Sequence, residues 1–140
     1  MKAEDYLSQI GDAERKIENK LAELQRLEAM AENISPNLSE VNVTSTHNPQ
    51  RLQGVWTQLV YLQNELLDDV VSLTDLKKEV TRTLEQLPPS EYDVLHRIYV
   101  LGHSIKYIAI EMHYSRPTIY KFKDKGIANL QKILDEREIV

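Results

Sequence analysis

The sequence predicts an all-α protein in two parts, and its composition and two patterns support this fold class. Of the 140 residues only 4 are Gly and 5 are Pro, whereas 28% are charged and 41% are hydrophobic. This composition is typical of helices and not of a turn-rich β-sandwich or a disordered tail. Apolar residues recur every three or four positions in two long segments, and several short helical segments follow a Pro-Pro pair. We therefore expect a long N-terminal helical hairpin that resembles a coiled coil, followed by a C-terminal helix-turn-helix domain of three or four helices.

The hairpin is predicted from two amphipathic helices. Residues 2–33 carry an apolar stripe without proline, and residues 50–87 carry leucines at heptad spacing. Residues 35–49, rich in Ser, Asn, Thr and Pro, are predicted to form the loop between them. Neither helix can bury its stripe alone, so the helices pack on each other within one chain or form a homodimer through the longer helix, and both arrangements remain open. Trp56 lies on an apolar stripe and is expected in the core or in an interface.

We place a domain boundary at Pro88-Pro89, because proline removes a backbone donor and clashes with the preceding turn. The boundary separates an acidic domain for oligomerisation or partner binding, residues 1–87, from residues 88–140. The first part carries 9 Lys and Arg against 15 Asp and Glu, and the second carries 8 against 7. Within residues 115–132 five basic residues stand against Asp124 alone. The formal net charge of −5 therefore hides a local basic region on the last helix.

Start and stop signals define the helices of the C-terminal part. Gly102 is expected to end the helix that follows the prolines, in a left-handed conformation, with Leu101 on its buried face. Ser104 and Ser115 are predicted N-caps of the next two helices, which are separated by a turn at His113-Tyr114. The last helix is predicted over residues 116–134.

The two helices after Gly102 have the residue types of a helix-turn-helix, with the small Ala109 at the crossing and apolar neighbours around it. In such a motif the start of the second helix reaches base edges in the DNA major groove. Arg116 suits a bidentate contact with guanine, and side chains before and after it suit phosphates. The alternative is a plain three-helix bundle whose lysines are only solvated. The candidate DNA-binding residues are Ser104, Lys106, Tyr107, Ser115, Arg116, Pro117, Thr118, Tyr120, Lys121, Lys123 and Lys125.

A family resemblance covers roughly the last 50 residues. Residues 87–95, Gly102-His103-Ser104, Ile108-Ala109 and residues 115–120 resemble the region-four helix-turn-helix of bacterial sigma factors. The same residues, together with Leu130, also resemble phage regulators of the ArpU and RinA type, which control late packaging and lysis genes. The resemblance implies recognition of a promoter element by the second helix, with RNA polymerase as a further partner. Gly126 departs from the pattern, because an alanine is usual there.

Other classes of function find little support. Zero cysteines exclude disulfides and thiolate metal sites. The histidines and acidic pairs lack the spacing of metal or acid–base sites, and no glycine-rich phosphate loop or serine elbow occurs. We expect no enzyme activity, no metal and no cofactor. No apolar run approaches the ~20 residues of a membrane span, and the first residues lack the core of a signal peptide. We expect a soluble protein, without membrane contact, in the cytoplasm of a bacterial host cell.

The prediction is thus a sequence-specific regulator of transcription that binds double-stranded DNA and activates phage or prophage late genes. Two alternatives remain open. One is a phage small terminase subunit, which joins a similar motif to oligomerisation helices and recognises a packaging site. The other is a protein-interaction module that binds RNA polymerase through its acidic helices.

Overall fold

The computed structural model describes the backbone of residues 1–40 and 49–139 and the side chains of residues 1–33 and 50–139. Within these residues every regular element is helical, so the all-α class is confirmed. None of the helices described there combines the length and apolar character of a membrane span. The elements are α1 (Ala3–Glu40), α2 (Pro49–Leu84), α3 (Pro89–Leu95), a π-helix (His96–Val100), α4 (Ile105–Met112) and α5 (Arg116–Ile139).

The chain divides into two compact units that do not follow the predicted domains 1–87 and 88–140. We call Glu14–Ser72 the hairpin unit, and Met1–Ala13 together with Leu73–Val140 the composite unit. The division differs from the expected boundary at Pro88 because both ends of the predicted hairpin contribute to the C-terminal core. Within one apolar cluster, Leu7 from the start of α1 and Leu84 from the end of α2 lie with Leu130 of α5.

The ends of the two long helices also differ from the prediction. The helix α1 continues to Glu40, through part of the segment predicted as a loop, although Pro36 removes one backbone hydrogen bond. Residues 41–48 of the predicted loop lie outside the described residues. The helix α2 ends at Leu84, ahead of the two prolines, because the chain tightens into a turn in which the amide of Leu87 donates to the Leu84 carbonyl over 3.0 Å.

The hairpin unit buries a seam between its two helical segments within one chain. Leu27 and Ala31 of α1 form a buried cluster with four residues of α2. At the side of the seam, the Lys20 ammonium lies 3.1 Å from the Glu65 carboxylate and 2.5 Å from the Asp69 carboxylate. The hydrogen bond to Asp69, and to a smaller extent the one to Glu65, raises the pKa of Lys20. The four α2 residues in the cluster are Val55, Leu59, Leu62 and Leu66.

The composite unit contains two apolar clusters. The larger one, described above, joins the start of α1, the end of α2, α3 and α5. The smaller one contains Val94, Ile108, Ala109 and Ile119, so it joins α3, α4 and α5. The backbone amide of Ala3 also donates to the Gln131 side-chain oxygen over 2.7 Å, which attaches the N-terminus to α5.

A buried polar cluster lies at Thr83, which is 1% exposed. Its hydroxyl oxygen accepts a hydrogen bond from the Arg137 guanidinium at 2.8 Å and lies 3.0 Å from the Tyr6 hydroxyl. The Thr83 hydroxyl donates to the Glu79 carbonyl at 3.1 Å. Thr83 interrupts the heptad series in the sequence, and these contacts account for its place inside the core.

The π-helix after α3 changes which residues are buried. The amide of Leu101 donates to the carbonyl of His96, five residues earlier, over 3.0 Å. Because a π-helix has more residues per turn than an α-helix, the side chains after it are rotated away from the α-helical stripe. Leu101, expected on the buried face, is therefore half exposed. Gly102 has the predicted left-handed conformation, with φ +75°.

Candidate nucleic-acid interface

The turn between α4 and α5 has the local structure that the sequence predicts. The side-chain oxygen of Ser104 accepts from the Tyr107 amide at 3.2 Å at the start of α4. At the start of α5 the Ser115 oxygen accepts from the Thr118 amide at 3.4 Å. His113 lies in the left-handed region, with φ 61° and ψ 38°, so the chain leaves α4 abruptly. Both predicted N-caps and the short turn are confirmed.

The inner face of α5 is fixed by close packing. Ile119 and Leu130 are fully buried, and Ile119 packs in one cluster with Ile108 and Ala109 of α4. Ala109 thus has the predicted place between the two helices. Since these contacts hold one face of α5, the opposite face is presented to solvent in a defined orientation.

Gly126 allows α5 to approach α3 more closely than another residue would. A Cβ atom at this position would lie 2.8 Å from Cδ1 of Leu95 and 3.3 Å from Cβ of Glu91. Nearby, the Asn129 amide donates to the Glu91 carboxylate over 2.6 Å. The glycine that departs from the sigma-factor pattern is therefore required by this packing, a role that the sequence alone did not reveal.

The candidate DNA-binding residues are accessible. Arg116, at the first position of α5, is exposed, and so are most of the others. Thr118 is half-buried, and its hydroxyl lies 2.9 Å from the capping hydroxyl of Ser115. The exposed candidates are Ser104, Lys106, Tyr107, Ser115, Arg116, Pro117, Tyr120, Lys121 and Lys125.

The structure separates Lys123 from the other lysines of α5. Lys121 and Lys125 lie one turn apart and are exposed, whereas position 123 is about 160° around the helix from position 121. Lys123 is half-buried, and its ammonium lies 6.0 Å from the centre of the Tyr120 ring. Lys132, seven residues after Lys125, is exposed on the same face. The spacing of seven residues, or two helical turns, from Lys125 is the sequence signal that identifies Lys132 as a further candidate.

Two contacts at the start of α4 involve the candidate Tyr107. The Tyr107 hydroxyl donates to the Glu111 carboxylate over 2.7 Å, and this hydrogen bond raises the pKa of Tyr107. The Tyr107 ring also packs edge-on against His103, with centroids 4.7 Å apart. Lys106 beside it is exposed. Among the described side chains, those of residues 1–33 and 50–139, no cluster of three His, Asp or Glu is arranged to hold a metal ion.

The fold and the site together define an all-α protein whose last helix presents a basic face after a short, capped turn. The chain belongs to the family described as "Protein of unknown function (DUF1492)", whose model matches residues 32–131. The match covers all of α2, α3 and α4 and every candidate DNA-binding residue named above. Searches of curated proteins and of solved structures found no match.

Proposed function

We propose that this protein binds double-stranded DNA in a sequence-specific manner and regulates transcription. Two observations carry the proposal: Arg116 is exposed at the first position of α5, and Lys121 and Lys125 are exposed on the face opposite the buried Ile119 and Leu130. An α-helix fits the major groove of B-DNA, and its first residues then reach the base edges. The net charge of −5 does not oppose binding, because the basic residues are concentrated on this helix.

The candidate residues at the start of α5, on its basic face and at the start of α4 have different proposed roles. Arg116 reads a guanine through its two guanidinium donors, and Pro117 and Thr118 contact a thymine methyl group or a phosphate. Lys121 and Lys125 contact phosphates further along the groove. Lys106, at the start of α4, contacts a flanking phosphate, as does Tyr107 when DNA displaces Glu111.

Charge-matched variants test this proposal. We compare the double variant Arg116→Ala, Lys121→Ala with Lys16→Ala, Arg26→Ala, whose two side chains are exposed in the hairpin unit. Binding to duplex fragments is followed by fluorescence anisotropy. The loss of Arg116 accounts for a weakening of specific binding of about 5- to 150-fold, so the α5 double variant should bind at least that much more weakly than the wild type. The hairpin variant is expected to bind like the wild type. Equal losses in the two variants, or binding that neither changes, would contradict a groove contact by α5.

The transcriptional role is supported by the resemblance to sigma region four and to ArpU- and RinA-type regulators. A reporter gene behind the preferred DNA fragment tests it. Transcription should depend on Arg116, and pull-down of RNA polymerase would add the second partner. A ring of many subunits that prefers a packaging site would instead identify a small terminase subunit. A reporter that responds to hairpin variants and ignores Arg116→Ala would favour the protein-interaction module.

A further inference from the structure

The helix α2 carries a second apolar face besides the one buried in the hairpin seam. Trp56 and Val60 are each 53% exposed, Leu67 is 63% exposed and Val71 is 53% exposed. Helical periodicity places these four side chains in one stripe, about 120° around the helix from the buried seam. The stripe, which we call the outer stripe, is about 22 Å long and lies entirely within the hairpin unit.

The outer stripe contains no charged residue along its length. Between its two apolar halves lie Gln63 and Asn64, both exposed and both neutral. A continuous uncharged face with a tryptophan at one end is the composition of a buried interface and not of a solvated helix surface. Trp56 is half exposed in the single chain, so of the two expected locations, a core or an interface, the exposure favours an interface.

The spacing of the outer stripe is the same when read in either direction. The steps are four residues from Trp56 to Val60, seven to Leu67 and four to Val71. A two-fold axis between Gln63 and Asn64 therefore places Val60 opposite Leu67 of a second copy. It likewise places Trp56 opposite Val71. Such self-complementarity is what a two-fold interface between identical chains requires.

Charged residues favour the antiparallel direction. Asp68 lies beside the stripe and in this register would lie between Thr57 and Tyr61 of the second copy, so no like charges meet there. Lys78 continues the same face seven residues after Val71. A parallel pair would bring the two copies of Lys78 together, whereas the antiparallel pair keeps these like charges far apart.

We propose that a second copy of this chain covers the outer stripe through an antiparallel α2–α2 contact. The contact joins two hairpin units into a four-helix arrangement. The register determines which residues of the two copies are neighbours. Residue 60 of one copy faces residue 67 of the other across the two-fold axis. This inference does not rest on the proposed DNA binding, and its test uses the protein alone.

The absence of cysteine from the sequence makes the register directly measurable. The test oxidises three samples: the Val60→Cys variant, the Leu67→Cys variant, and an equal mixture of the two. One of the two variants carries a tag, so that the mixed disulfide is distinguished by size. In the antiparallel pair the two copies of position 60 lie about 10 Å apart along the axis, too far for a disulfide. The proposal predicts that the mixed disulfide exceeds either single product at least tenfold. Efficient Val60→Cys homodisulfides would overturn it.

The solution mass gives the second measurement. The wild type is expected to be a dimer by analytical ultracentrifugation. Leu67→Glu should weaken dimerisation more than 100-fold, because it places a charge in the stripe of each copy. Ser72→Glu, exposed on a different face of α2, is the matched control and should remain dimeric. Circular dichroism establishes that both variants stay helical. A wild type that is monomeric at every concentration, or that forms a ring, overturns the proposal.

Discussion

The hairpin unit and the composite unit differ in how they use their apolar residues. The composite unit gathers segments from both ends of the chain into clusters with fully buried members such as Leu7, Leu84 and Leu130. The hairpin unit buries one seam and leaves the outer stripe of α2 exposed. The composite unit in turn exposes the basic face of α5. The two proposals rest on this difference: a second copy of the chain for the outer stripe, and duplex DNA for α5.

The largest expected effect is the contrast between a buried and an exposed leucine. Leu130→Ala should lower the free energy of unfolding by about 2–5 kcal/mol, because it leaves a cavity in the composite core. Leu67→Ala should change it by less than about 0.5 kcal/mol at high dilution, because this side chain is exposed in the single chain. Urea denaturation followed by circular dichroism measures both. Similar losses would mean that the outer stripe belongs to a core.

Gly126 of α5 and Gly54 of α2 should respond to substitution by alanine with opposite changes in stability. Gly126→Ala forces a methyl group against Leu95 and should destabilise the protein by about 1–3 kcal/mol. Gly54→Ala meets no atom within 4 Å and should stabilise α2 by about 0.5–1 kcal/mol through helix propensity. Thermal unfolding of the two variants measures the difference. A gain in stability for both would show that α3 and α5 are not closely packed at Gly126.

The buried hydroxyl of Thr83 should contribute more to the free energy of unfolding than an exposed hydroxyl does. Thr83→Val keeps the shape of the side chain but removes the acceptor for Arg137 and the hydroxyl partner of Tyr6, at an expected cost of about 1–3 kcal/mol. Thr57→Val is the control, because its hydroxyl donates only to the Gln53 carbonyl of the same exposed helix face. Chemical denaturation should show little change for Thr57→Val. An equal loss of unfolding free energy in the two variants would show that the buried polar cluster around Thr83 adds no extra stability.

The smallest expected effect is a dependence of stability on pH through His96. Burial lowers the pKa of this imidazole in the folded chain below its ordinary value of 6.5. The unfolded chain therefore binds a proton more readily in the window just below pH 6.5, so that stability falls as the pH falls through this window. His96→Gln should flatten this part of the profile. An unchanged slope between pH 7 and pH 5 would assign the effect to other groups.

Sequence reasoning succeeded where the signals are local. The caps at Ser104 and Ser115 and the left-handed Gly102 depend on a few neighbouring residues, and each lies where the sequence places it. The heptad leucines of α2 likewise identify a buried seam, because periodicity in one helix fixes which residues share a face.

Sequence reasoning was incomplete where distant segments meet. An apolar stripe shows that residues 1–13 must be buried, but it does not identify the helix that covers them, so the domain boundary was placed at Pro88. The need for Gly126 depends on Leu95, which is thirty-one residues earlier. The rotation at Leu101 depends on a π-helix, for which the sequence carries no clear pattern.

Binding of the purified wild-type protein to DNA fragments at several salt concentrations is the decisive test of DNA recognition by α5. We expect one preferred fragment and a linear fall of log K with log salt. The slope should become shallower by about 0.9 for each phosphate-contacting lysine that is replaced on α5. Absence of binding to duplex DNA at low salt, or equal binding to all fragments, would rule out sequence-specific recognition by this helix.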